Sequence, residues 1–239
     1  MSVEVVVIGA GGFGRETLDV IEAHNSDVRA QSKFEHLIDV IGVADDLPSP
    51  QNLQRLEDRD YTYLGTVDEV VAKTSPMRFI LAIGAPKIKD LVDNKLLSVG
   101  WRALTVVHPA ATVGTRCVLG EGSVICSGAQ ISTNARFGRH VHVNPNATIG
   151  HDTILEDYVS VNPGAVISGE VIVQRRTLVG AASVILQGLK IGHSGIIGAS
   201  ACVVKDMDPM ATVVGVPARP LPRQLGEVSN RSNKYEEAN

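Results

Sequence analysis

Hydrophobic positions follow two different periods along the chain, and the change falls near residue 104. Before it, strand-like and helix-like patterns alternate. Residues 3–9 form a β-rich apolar run, and residues 15–24 carry Leu18, Val20 and Ile21 as the apolar face of a helix. Residues 37–44 predict a second buried strand ending in Asp45-Asp46, followed by a polar loop over 47–60 and a short helix over 67–73. A third strand over 77–84 precedes Ile88, Leu91, Val92, Leu96 and Val99 at helical spacing, and 102–107 predicts a last strand. This is the pattern of a βαβαβ half-Rossmann unit, one half of a doubly wound α/β sheet.

Beyond Val107 the helical period gives way to a period of six. Every sixth residue from Val113 through Val143, Ile149 and Val161 to Val203 is apolar, sixteen in all. At 44% hydrophobic residues overall, such a run arises by chance on the order of once in a million. Two residues before these positions the side chains are mostly small, as at Ala129, Ala147 and Ala165; one residue after, glycine recurs, as at 114, 138, 150 and 180. Glycine tolerates a left-handed backbone, so each hexad reads as a short strand followed by a sharp corner placed at that glycine column. Three corners close a triangle, which predicts a left-handed parallel β-helix of about five coils, roughly 25 Å tall at ~4.8 Å per coil. The register never breaks, so no large loop is expected to protrude. The expected domains are 1–104, 105–222 and a polar tail over 223–239, with 226–239 expected to be disordered.

The balance of 22 Lys+Arg against 26 Asp+Glu gives nucleic acid or an anionic membrane no general attraction. Cys117, Cys126 and Cys202 show no metal or disulfide spacing and fit a reducing compartment. The N-terminal apolar run lacks the length, basic flank and cleavage site of a signal sequence, so the expected location is the cytoplasm.

A narrow prism cannot enclose a substrate, so chemistry must lie on its outside. Of seven histidines, His24, His36, His108 and His193 read as surface or packing residues. His140, His142 and His151 fall within two coils, and His151, just past Gly150, is expected to project outward with Asp152 beside it. A carboxylate next to an imidazole fixes its tautomer and raises its basicity.

Together IGAGGFGRE, Asp45-Asp46, LAIG at 81–84, HPAATVG at 108–114, NPNATIGHD at 144–152, VNPGAVISG at 161–169 and GVPARPL at 215–221 resemble the bacterial sugar acetyltransferases. That family includes nucleotide-activated amino-sugar N-acetyltransferases and the sialic acid O-acetyltransferase. The resemblance spans residues 1 to about 222. It implies a homotrimer with sites between subunits, acetyl-CoA as cosubstrate, no metal, and a nucleotide-activated amino sugar as partner. It further implies His151 as general base, Asp152 as its orienting partner, Asn144 in the same cleft, and a backbone N–H near Gly169 as oxyanion donor. Acetyl-CoA is expected along Gly180, Ala181, Gly198 and the Val216-Pro217-Ala218-Arg219 turn, with Lys205 and Arg219 toward its phosphates. Gly11, Gly12, Phe13, Gly14, Asp45, Asp46 and Gly84 are expected to hold the nucleotide sugar. Two positions depart from the family: Ser160 stands in Asp157-Tyr158-Val159-Ser160 where many relatives have a second histidine, and Ala85-Pro86 replaces a common asparagine pair.

The glycine fingerprint alone would fit an NAD site, but the chain turns into a β-helix where a second mononucleotide half should follow, so the turn is read as holding one activated sugar. The expected activity is N-acetylation of a nucleotide-linked 4-amino-4,6-dideoxy sugar for a surface glycan. The alternatives are O-acetylation of a sialic acid or other sugar hydroxyl, a γ-type carbonic anhydrase, and a non-catalytic sugar-nucleotide-binding scaffold.

Overall fold

A computed structural model describes residues 2–222; the tail expected to be disordered lies outside the described residues. The N-terminal domain is a five-stranded parallel sheet of β1 (Val3–Ile8), β2 (Ile38–Ala44), β3 (Tyr63–Gly65), β4 (Arg78–Leu81) and β5 (Arg102–Ala103). Its order is β3-β2-β1-β4-β5. Val5, Val6, Val7 and Ile8 are all buried because helices cover both faces: α1 (Gly12–Ala30), α2 (Pro50–Glu57), α3 (Val67–Lys73) and α4 (Pro86–Ser98). The chain reverses direction across the sheet between β1 and β4, so a crevice opens at their C-terminal ends.

The sheet is larger than the expected βαβαβ unit. Helix α2 occupies the predicted polar loop, where the Ser49 hydroxyl accepts the Asn52 N–H and Pro50 supplies the first helical position. Strand β3 is three residues long, too short for a period to register. The predicted strand over 102–107 is two strands in two sheets: β5 pairs with β4, whereas Val106–Val107 pairs with Val124–Ile125 in the next domain.

From Val106 to Val203, two-residue strands alternate among three sheets of parallel pairs, each strand pairing with one eighteen residues away, as His142 with Ser160; one sheet ends in an antiparallel pair of Thr212–Val214 with Arg219–Pro220. The predicted inward column is the core: from Ile125 to Val203 every member is buried, and only Val113 and Leu119 at the open end are not. Near the C-terminal end the spacing shortens, with Ile196 pairing Thr212 sixteen residues on.

The corners differ from expectation. Positive φ falls three residues after the inward positions from Val113 to Ile197, as at Asn134 (60°), His140 (49°), Asn146 (58°), Asp152 (58°) and Tyr158 (63°), and not at the glycine column one residue after. Those glycines instead let coils stack. A Cβ on Gly114 would meet the Thr133 nitrogen at 2.7 Å, and one on Gly138 the Asp157 nitrogen at 2.6 Å.

One prism face, carrying Val106, Val124, His142 and Ser160 outward, is docked against the N-terminal domain. Val106, Val124 and Cys126 share a core with Leu18, Val20 and Ile21 of α1. Polar side chains complete the contact: Asp93 of α4 is fully buried and meets Arg139, His140 and Tyr158. Burial alone would raise the Asp93 carboxyl, but hydrogen bonds from His140, Arg139 and Tyr158 hold it well below the usual carboxylate range.

Candidate active site

His151 stands on the corner that joins the strand Thr148–Ile149 to Ile154–Leu155. Inward-facing Ile149 and the coil-stacking glycine Gly150 fix the backbone, and Asp152 adopts the left-handed turn conformation. The His151 Nδ1 lies 2.8 Å from Asp152 Oδ2, and the Asn134 side-chain amide donates to Asp152 Oδ1 at 2.9 Å. Hydrogen bonds from His151 and Asn134 hold the Asp152 carboxyl below its ordinary value. A proton on Nδ1 satisfies this carboxylate and leaves the Nε2 lone pair free. With side chains 46% and 47% exposed, both residues face open surface.

Gly169 sits on the next coil directly against this ring. Its φ is not positive, so the backbone there does not require glycine. A Cβ would instead collide with the His151 ring, meeting Cε1 at 2.6 Å. Among the described residues the Gly169 N–H donates to nothing, while the neighbouring Glu170 N–H bonds His151 O at 2.8 Å. The corner thus brings together His151, Asp152 and Gly169, and adds Asn134, whose position eighteen residues before Asp152 is the signal that would have found it. Asn144 is not brought to this corner. It lies one corner earlier, 7% exposed, with its amide donating to Val161 O.

The second candidate region is the crevice at the ends of β1 and β4. A Cβ on Gly11, Gly12 or Gly84 would meet nothing within 4 Å, so these three border open space. Gly14 differs: it packs on the Gly9 backbone, where a Cβ would come within 2.9 Å of the carbonyl carbon. Phe13 is turned inward and stacks on the His142 ring at 4.8 Å between centroids. Asp45 ties the end of β2 to the glycine turn, accepting the Ala10 N–H at 2.7 Å and the Leu47 N–H at 2.9 Å. The Asp46 carboxylate is taken up at the start of α3 by the Val67 N–H.

The third region is the C-terminal part of the prism. The Gly180 and Gly198 amides are already bonded to Ile197 O and Val213 O, and the next coil fills the space beside each glycine. The free amides in this column are one residue on, at Ala181 and at the exposed Ala199, neither of which donates within the described residues. Ala218 is buried in the prism core and bonds Cys202 O, whereas Val216, Pro217 and Arg219 are exposed and the Val216–Pro217 bond is cis. Lys205, also exposed, lines a hollow of about 140 Å³ with Val204, Asp206 and Pro220.

Around each coil the docked face is followed by the Thr148–Ile149 face and then the Ile154–Leu155 face. The His151 corner is therefore the vertex opposite the docked face. Within one chain the glycine crevice borders the docked face, where Phe13 meets His142 and Gly84 meets Ser160, and the histidine lies across the prism from it.

Known proteins match both parts. The family described as the PglD N-terminal domain matches residues 4–96. The GDP-perosamine N-acetyltransferase of Escherichia coli O157:H7 is 31% identical over 151 residues; the match covers 63% of this chain and 63% of that protein, so it spans less than two thirds of the relative. The acetyltransferase domain of PglB from Neisseria gonorrhoeae FA1090 superposes with a TM-score of 0.78 at 25% identity, covering 92% of this chain and 100% of that one. The same domain in complex with acetyl coenzyme A gives 0.78 at 26% identity, with the same coverage of both chains. A histidine-to-asparagine variant of perosamine N-acetyltransferase from Caulobacter crescentus, in complex with CoA and GDP-perosamine, shares the fold with a TM-score of 0.77 at 23% identity, covering 92% and 97%.

Proposed function

We propose that the chain is a PglD-like sugar N-acetyltransferase, as its similarity to that N-terminal domain, to the perosamine N-acetyltransferase and to the PglB acetyltransferase domain supports, and that it transfers the acetyl group of acetyl-CoA to the amine of a nucleotide-linked 4-amino-4,6-dideoxy sugar destined for a surface glycan. The observation that carries this reading is the corner itself: an exposed imidazole, oriented by Asp152 and backed by a glycine whose N–H is free.

The amine nitrogen attacks the thioester carbonyl, and His151 Nε2 accepts the proton that the nitrogen loses as the tetrahedral adduct forms. The Gly169 N–H is the donor for the developing oxyanion, which the missing side chain lets the substrate approach. When the C–S bond breaks, the imidazolium returns its proton to the CoA thiolate. The Ala181 and Ala199 amides suit the pantetheine amides, and exposed Lys205 and Arg219 suit the phosphates. The nucleotide lies in the crevice bordered by Gly11, Gly12 and Gly84. Since that crevice lies across the prism from its own His151, the acceptor reaches the histidine of a second chain in a homotrimer. Asn144 joins the site only through such a neighbour.

The test is thiol release from acetyl-CoA with UDP-, GDP- and dTDP-amino sugars, on wild type and His151→Ala. Release with an amino-sugar nucleotide, slowed about 10²- to 10⁴-fold by the substitution, is the expected result. Turnover only of hydroxyl acceptors would make the protein an O-acetyltransferase.

A further inference from the structure

Helix α4 begins at the turn containing Gly84 and lies against a column of prism corners. His140, Tyr158 and Arg176 are spaced eighteen residues apart, all at positive φ, and the first two rings stack at 5.9 Å and 6°. Asp93 meets His140 Nε2 at 2.9 Å and the Tyr158 hydroxyl at 2.8 Å, while Asp90 pairs with Arg176 at 3.1 Å. Three helical residues rise ~4.5 Å and one coil ~4.8 Å, so acids at this spacing read successive coils.

Within this contact Lys89 is fully buried, and its Nζ donates to two main-chain carbonyls, His140 O at 2.8 Å and Val159 O at 3.2 Å. The residue after Val159 is Ser160, whose hydroxyl donates to Gly84 O at 3.0 Å. Residues 84–86 are thereby held from both sides by one stretch of prism: at Gly84 by Ser160, and just inside α4 by Lys89. A buried lysine is costly to keep, and apolar packing would join two domains without it. What two hydrogen bonds add is a fixed distance and direction.

We propose that Lys89 and Ser160 are positioning residues that staple the turn at 84–86 to the docked face, and so set where an acceptor held against Gly84 stands relative to the histidine corner of a second chain. The acceptor half rests on the function proposed above; the staple does not.

The experiment pairs hydrogen exchange with kinetics on Lys89→Met, Ser160→Ala and Ser160→Thr in the full chain. Ser160→Ala removes one hydroxyl and keeps the question answerable if Lys89→Met fails to fold. Both disruptive variants are expected to speed exchange of the amides in 84–90 about tenfold or more, with the prism strands unchanged. They are expected to raise KM for the nucleotide amino sugar about 5- to 20-fold and leave KM for acetyl-CoA within about twofold, and Ser160→Thr restores both values. Unchanged exchange in 84–90 overturns the staple. Faster exchange with equal changes in both KM values, or in neither, overturns positioning. A wild type inactive on every amino-sugar nucleotide refutes the proposed function and the acceptor half with it, while the exchange result still decides the staple.

Discussion

The imidazole of His151 fills the space that a side chain on Gly169 would occupy, one coil further along the prism. Since Gly169 has no left-handed φ, alanine fits its backbone, and the nearest atoms its methyl meets are those of the His151 ring. Gly169→Ala is therefore expected to lower kcat about 10- to 100-fold, with a Tm within a few degrees of wild type. A loss of Tm with kcat per folded molecule retained would make Gly169 a packing residue only.

The glycine turn separates into open and packed positions. Gly12 borders open space, so Gly12→Val is expected to leave stability unchanged and raise KM for the nucleotide sugar tenfold or more. Gly14→Ala drives a methyl into the Gly9 backbone and is expected to cost about 1–3 kcal/mol in denaturant unfolding. Equal stability losses at both positions would contradict a ligand crevice beside Gly12.

What could be read in the sequence follows from how repetitive its cause is. The inward column from Val113 to Val203 announced the prism because one packing rule repeats each hexad. Composition at the corners misled: glycine marks close stacking of coils, whereas residues such as Asp152 and Tyr158, with no shared side-chain chemistry, take the left-handed turn. His151 and Asp152 were legible because they are adjacent, and Asn134 was not, because its partnership with Asp152 exists only once coils stack. Similarly, Gly180 and Gly198 drew attention by residue type, yet the free amides belong to Ala181 and Ala199. The domain contact left no periodic trace, since Lys89 and Asp93 are polar side chains on the buried side of α4.

That contact makes stability depend on acid. Burial pushes the His142 imidazole well below its ordinary value, assisted by nearby Lys89 and His140, and its ring nitrogens have no partner among the described residues. Burial also lowers His140, although Asp93 opposes the shift. A folded pKa below the unfolded value of ~6.5 means the unfolded chain takes up protons first as pH falls. The contribution of these two histidines is complete above about pH 6.5 and declines below it, by up to ~1.4 kcal/mol per pH unit for each. Burial lowers the Lys89 amine well below its ordinary value, so it acts with the same sign at higher pH. The depressed Asp93 carboxyl has the same sign at lower pH, its contribution complete above ~4 and lost as pH falls toward its folded value. Calorimetry between pH 7 and 5 is expected to show Tm falling in wild type and falling less steeply in His142→Phe, which keeps a ring against Phe13. Identical slopes would mean that His142 does not stay neutral in the folded protein.

The placement of crevice and histidine on opposite sides of the prism makes a composite site directly testable. Gly12→Val blocks the crevice and leaves the histidine corner intact; His151→Ala does the reverse. If each site joins the crevice of one chain to the corner of another, trimers reassembled from equal amounts of the two impaired chains, assayed at nucleotide sugar well below the KM of Gly12→Val, contain sites in which both halves are sound. Random mixing makes these about a quarter of all sites, so the mixture is expected to recover about a quarter of wild-type turnover. Sites built within a single chain would recover nothing, because every chain then carries a defect in its own site. Separately purified trimers mixed without subunit exchange provide the control, and recovery there would mean that activity does not depend on sites shared between chains.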